Sequence, residues 1–134
     1  MTEDQAGAAR ACLAGAENNT MSFPQIIGAL MAAGFEGYAI DFRRATATYY
    51  LPSGESLALA ALPPLAPVTH TFDAAQIQAA IREAQHQVPG YTYAGFCERA
   101  ASAGCAGNLV SFSGRRALYY GRTAETHVEL FPGS

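Results

Sequence analysis

The strongest constraint on how this chain can fold is an internal repeat. The stretch from Ser22 to Leu59 returns without a gap 70 positions later, from Thr92 to Glu129. The aligned pairs are Gly34 and Gly104, Gly37 and Gly107, Phe42 and Phe112, Tyr49-Tyr50 and Tyr119-Tyr120, and Glu55 and Glu125. Duplication is the simplest explanation of such a pattern. A copy of about 60 residues is marginal for independent folding, so we predict two copies that share one core.

Local patterns predict two helices followed by three strands in each copy. Thr2 with Gln5 and Ser22 with Gln25 have the spacing of capping boxes, which start helices. From Gly37 onward the apolar period changes from the helical spacing to strict alternation, which is typical of half-buried strands. The second copy repeats the same order of patterns.

These patterns predict the α+β class, with antiparallel strands packed on one side against helices. We expect a single domain over residues 1–134, with pseudo-repeats at about 1–60 and 71–131. Prolines stiffen the segment 61–70, which we interpret as the connector between the repeats.

The last strand departs from the repeat. The offset places His127 and Glu129 at positions that hold leucine in the first copy. Because an unpaired buried charge is costly, we expect this strand to slip by one residue and turn Val128 and Leu130 toward the core.

Composition excludes several classes of protein. The net charge is −3 and the chain contains no lysine, so no overall charge attracts nucleic acid or anionic lipid. The longest uncharged apolar run, 26–35, is shorter than the roughly 20 residues that a membrane span needs. Three cysteines cannot all pair within one chain, and no secretion signal pattern opens the sequence. We therefore expect a cytoplasmic protein.

One candidate for acid/base chemistry lies on the last strand. Glu125, His127 and Glu129 alternate, so they project from one side of it. Two carboxylates beside a histidine can make it a general acid near neutral pH. The alternative is a solvated outer face of an edge strand. Because no metal-ligand or nucleophile motif accompanies the three residues, we expect no metal and no cofactor and favour a non-enzymatic role.

A second candidate is a set of arginines and tyrosines at the hairpins. Its members are Arg43, Arg44, Arg115, Arg116, Arg122, Tyr49 and Tyr119. Basic groups beside aromatic rings can bind a small anionic ligand or single-stranded nucleic acid. The alternative is that the arginines are solvated or paired with acidic neighbours, and the net acidic charge makes nucleic acid an unfavourable partner.

Two segments also carry a family resemblance. The first runs from Met21 to Tyr50 (MSFPQI, GFEGYAID, TYY) and the second from Tyr91 to Pro132 (YTY, AGC, GRRALYYGR, ETHVELFP). In these segments the chain resembles the YdfO-like family of bacterial and prophage genomes, whose members often carry the label "phage envelope protein". The resemblance implies an α+β fold with an internal duplication and no established activity.

The favoured interpretation is a binding or interaction module with sites on the exposed strand face and the hairpins, for which a homodimer is an option. The alternative is a small enzyme or small-molecule binder that uses His127 with Glu125 or Glu129 and an arginine clamp for an anionic group. Nucleic-acid binding through the arginine hairpins ranks third.

Overall fold

The computed structural model describes residues 1–133, and these form helices and strands in the order predicted for each half. The elements are α1 (Glu3–Glu17), α2 (Phe23–Ala32), β1 (Gly37–Asp41), β2 (Thr46–Tyr50), β3 (Ser56–Ala60), α3 (Ala74–His86), α4 (Tyr93–Ser102), β4 (Cys105–Ser111), β5 (Arg116–Gly121) and β6 (Thr126–Leu130). Helix, helix, strand, strand, strand therefore occurs twice. The predicted α+β class is confirmed.

Side chains placed just before the helices start them. The Thr2 hydroxyl accepts a hydrogen bond from the Gln5 backbone, and the Gln5 side chain accepts one from the Thr2 backbone. Ser22 and Gln25 make the same reciprocal pair at α2. Both predicted capping boxes are confirmed, because this geometry depends only on residues within one helical turn.

A left-handed residue follows each of the four helices of residues 1–133, and after α1 it is Asn19 (φ 61°). Gly34 (φ 98°) follows α2 and Gly104 (φ 92°) follows α4, as glycine at a helix exit predicts. Helix α3 ends at His86, because Gln87 takes the left-handed conformation (φ 45°) and donates its N–H to the Ala84 carbonyl.

One six-stranded antiparallel sheet takes strands from both halves, in the order β3-β2-β1-β4-β5-β6. At its centre β1 pairs with β4, with Ala39 opposite Leu109. On either side of that pair, Tyr38 faces Val110 and Ile40 faces Asn108. The register of β1 against β4 is therefore symmetric about the pair Ala39 and Leu109, which are 70 positions apart in the sequence. That the two halves descend from one duplicated unit stays a prediction.

The helices cover one face of the sheet, here called the inner face, and the core lies between them. The sheet contributes Tyr38, Ile40, Phe42, Ala47, Tyr49, Val110, Phe112, Ala117 and Tyr119, and the helices contribute Ala9, Cys12, Leu13, Leu30, Ile77, Ile81, Cys97 and Ala100. The predicted one-sided helix layer matches this arrangement.

The expected slip of the last strand is wrong. His127 faces Tyr119 and Glu129 faces Ala117, so both point to the inner face, where their side chains are 18% and 20% exposed. Val128 and Leu130 point outward and are 43% and 51% exposed. Two conditions lower the cost of this register: β6 is an edge strand, where burial is partial, and the two polar groups pair with each other.

The proline-rich connector contains neither helix nor strand, and it is held by hydrogen bonds. The Thr69 N–H donates to the Ala101 carbonyl at 3.0 Å, and the Arg122 guanidinium donates to the Val68 carbonyl at 3.4 Å. Within residues 1–133, none of the helices combines the length and the apolar character that crossing a bilayer requires.

Candidate ligand-binding cavity

A cavity of about 680 Å³ lies between the inner face of the sheet and the helices. Its floor consists of inner-face residues of β1, β2, β4, β5 and β6, and its walls come from all four helices and from the α1–α2 and α3–α4 loops. Its size falls within the roughly 300–1,000 Å³ of small-molecule sites. Because both halves contribute, the cavity exists only in the assembled fold.

Eight aromatic side chains line this cavity. They are Phe23, Tyr38, Tyr49, Tyr91, Tyr93, Phe96, Tyr119 and Phe131. The ring centroids of Tyr38 and Tyr49 are 5.7 Å apart, and Tyr93 stacks on Phe96 at 6.3 Å. Burial raises the pKa of the tyrosine hydroxyls, to about 12 for Tyr91. Near neutral pH the tyrosines therefore stay uncharged and offer hydroxyl groups for hydrogen bonding.

Asn108 places a carboxamide on the cavity floor. The residue is 7% exposed, lies between Ile40 and Tyr119 on the neighbouring strands, and has no side-chain hydrogen-bond partner among residues 1–133. No fully buried side-chain nitrogen or oxygen of the described residues lacks a hydrogen-bond partner, so the polar atoms of Asn108 are open to the cavity. A carboxamide offers two donors and one acceptor, so Asn108 is suited to a ligand that carries complementary groups.

His127 and Glu129 form a pair at the β6 side of the cavity. The His127 Nε2 lies 3.2 Å from the Glu129 Oε2. Glu129 lines the cavity, whereas His127 lies outside the lining and directly opposite Tyr119 on β5. Burial, the adjacent Cys105 thiol and the Glu129 carboxylate all raise the pKa of Tyr119. The arrangement thus presents to the cavity one carboxylate, which an imidazole orients.

Glu125, the third member of the predicted acid/base trio, does not join the other two. It precedes β6, is exposed, and accepts a hydrogen bond of 2.7 Å from the Thr123 hydroxyl. Only Glu129 of the three lines the cavity.

The five predicted arginines are exposed and lie outside the cavity lining: Arg43, Arg44, Arg115, Arg116 and Arg122. Because β1 and β4 run antiparallel, their hairpins lie at opposite ends of the sheet. The arginines therefore divide into two groups rather than forming one clamp. Arg115 lies nearest to the cavity, with its guanidinium carbon 5.9 Å from the ring centroid of Phe131.

The two predicted tyrosines, Tyr49 and Tyr119, do line the cavity, on equivalent strands of the two halves. Sequence reasoning missed Asn108, Tyr91 and Tyr93. For Asn108 a signal existed, because the alternation of β4 points it inward and the offset aligns it with Tyr38. For the two tyrosines of the α3–α4 region no local signal existed, since their contacts to the sheet are long-range.

The three cysteines are free, buried thiols. Burial raises the pKa of Cys97 from its ordinary 9.0 to about 12 and that of Cys105 to about 11. Both thiols are therefore protonated near neutral pH and are weak nucleophiles. No group of three histidine, cysteine, aspartate or glutamate side chains within residues 1–133 is arranged to hold a metal ion.

A comparison with protein families matches residues 12–129 to the family described as "Protein of unknown function (DUF1398)". The chain belongs to the DUF1398 family. The match spans both halves of the sheet and most of the cavity lining of this DUF1398 protein. A search of curated proteins finds no match to it. The narrower YdfO-like resemblance and the prophage association stay predictions.

Proposed function

We propose that this DUF1398 protein binds a small organic molecule in the cavity between its sheet and its helices. The observation that carries the proposal is Asn108, a nearly buried carboxamide that lines the cavity without a hydrogen-bond partner among residues 1–133. A bound molecule that pairs with this carboxamide gains a hydrogen bond worth about 0.5–1.5 kcal/mol.

The rest of the lining supports the same role. Aromatic walls supply apolar contact area, and hydroxyl groups and carboxamides supply orientation, which is the usual composition of a small-molecule site. The cysteine thiols are held in their protonated form, and the arginines are outside. The site is therefore equipped for recognition, and His127 with Glu129 is the pair that proton transfer would use.

The test pairs two neighbouring residues of β4 that face opposite ways. Asn108→Leu removes the carboxamide while keeping the number and branching of the side-chain heavy atoms, and Leu109→Ala alters the exposed outer face. Ligands found by native mass spectrometry of the purified protein, or by fragment screening with ligand-observed NMR, should bind Asn108→Leu at least about tenfold more weakly, since losing a buried hydrogen bond costs about 1–3 kcal/mol. Leu109→Ala should bind as the wild type does. Equal affinity in both variants would rule out the cavity as the site.

A second candidate is the interaction surface expected from the sequence. The outer sheet face carries Leu109, Val128 and Leu130, which are each about half exposed. Exposed apolar side chains grouped on one face are typical of interaction sites. We propose a second copy of the chain as its partner, in a cytoplasmic protein with reduced thiols. Equilibrium sedimentation tests this proposal, and a protein that is monomeric at all concentrations measured would contradict the homodimer.

A further inference from the structure

We propose that the cavity is selective for an organic cation, namely a protonated amine or a quaternary ammonium group beside Glu129. This rests on the proposed function and specifies its ligand class. The argument depends on which charges and which rings line the cavity.

Glu129 is the only charged side chain in the cavity lining formed by residues 1–133. Its side chain is 20% exposed, so water screens the carboxylate only partly. Its neighbour His127 contacts the same carboxylate from outside the lining. A cation in the cavity would therefore meet a fixed negative charge with no competing basic side chain in the lining.

The aromatic rings of the lining also favour a positively charged ligand. Five tyrosine and three phenylalanine rings line the cavity. The face of an aromatic ring attracts a cation within about 6 Å of its centroid, and a cavity lined by several rings resembles the cages that recognise ammonium groups. A cation–π contact of this kind is present at the edge of the cavity, where the guanidinium carbon of Arg115 lies 5.9 Å from the ring centroid of Phe131.

Neutral polar groups complete the site. Asn108 and Tyr119 lie directly opposite each other on adjacent strands and both line the cavity, and their carboxamide oxygen and hydroxyl can accept hydrogen bonds from an N–H donor. An anion would instead meet Glu129 without a basic partner in the lining. The structure thus favours a cation over the anionic ligand that the arginines had suggested.

The experiment uses three probes that share one aromatic body and differ in charge: phenethylammonium, 2-phenylethanol and phenylacetate. Their affinities for the full-length wild type are compared by ligand-observed NMR and calorimetry. We expect phenethylammonium to bind at least about tenfold more tightly than the alcohol, as a desolvated cation–π contact with a counter-charge predicts. Phenylacetate should bind least.

Variants identify the groups responsible. Glu129→Gln keeps the shape of the side chain and should remove the preference for the ammonium probe. Glu125→Gln removes an equal charge from an exposed position on the same segment and should keep the preference. Tyr119→Phe retains the ring and should keep most of the preference, whereas Tyr119→Leu should reduce it. Circular dichroism confirms that each variant is folded.

The outcomes separate this inference from the proposed function. A preference for the ammonium probe that depends on Glu129 supports the cation site. Tighter binding of the alcohol or the carboxylate, with loss in Asn108→Leu, overturns the cation site and leaves a ligand cavity. If none of the probes binds at millimolar concentration, the cation inference is overturned, and the Asn108 comparison decides the proposed function by itself.

Discussion

At the scale of single residues, Gly37 and Gly107 show why a repeat can retain glycine inside a strand. A Cβ at Gly37 would lie 2.3 Å from the Val110 carbonyl oxygen, and a Cβ at Gly107 would lie 2.3 Å from the Ile40 carbonyl oxygen. These contacts are counterparts across the central β1–β4 pair. Gly34 and Gly104, at the preceding helix exits, have left-handed backbone conformations, whereas Gly37 and Gly107 do not.

Gly37→Ala should therefore lower the free energy of unfolding by about 1–3 kcal/mol, because the added methyl group forces the central strands apart. Gly28→Ala is the matched control: it lies in α2 with no atom beyond its own stretch of helix within 4 Å of the added carbon, and should raise the free energy of unfolding by about 0.5–1 kcal/mol. Urea denaturation measures both. A Gly37→Ala protein as stable as the wild type would contradict the close approach.

At the scale of elements, β6 differs from its counterpart β3 in the chemistry of its inner face. Leu57 and Leu59 of β3 pack against the core, and His127 and Glu129 occupy the equivalent positions of β6. Replacing a partly buried polar pair by apolar side chains is often neutral or stabilising. We therefore expect an apolar pair at these positions of β6 to be at least as stable as the polar pair.

The double variant His127→Leu with Glu129→Leu gives β6 the side chains of β3. We expect its midpoint of thermal unfolding to rise, with a gain of about 1 kcal/mol, and the binding of an ammonium probe to be lost. Val128→Leu, which alters the outer face of the same strand, should change neither quantity measurably. A less stable double variant would show that the pair is structural.

At the scale of the whole molecule, the shared core holds three thiols and several tyrosine hydroxyls in their neutral forms. Burial raises the pKa of Cys97 from 9.0 to about 12 and that of Cys105 to about 11. The unfolded chain ionises these thiols at lower pH than the folded chain does. Above pH 9 the folded state thus binds more protons than the unfolded state, so stability falls as pH rises.

We expect the free energy of unfolding to be insensitive to these thiols below their ordinary pKa and to decrease above it, by up to about 1.4 kcal/mol per pH unit for each thiol. Cys97→Ala should show a shallower decrease between pH 9 and about 12. Chemical denaturation over a pH series measures the slopes. Identical slopes for the wild type and Cys97→Ala would show that this thiol ionises equally well in the folded protein.

The sequence by itself determined the helices and strands and their repeated order in the two halves. Capping boxes such as Thr2 with Gln5, the alternation after Gly37 and the helix exit at Gly34 are local, because they involve residues within a turn or a strand. The offset also placed Tyr49 and Tyr119 on equivalent strands. These features required no knowledge of distant contacts.

Only the tertiary structure decided which groups meet at the cavity. The inward register of His127 depends on pairing with β5, and the position of Tyr93 depends on its backbone N–H, which donates to the Asn19 side chain at 2.9 Å. The convergence of Asn108 with rings from helices and loops depends on the closing of the helix layer over the sheet. Such contacts join residues far apart along the chain, and their energies depend on burial, which no local pattern specifies.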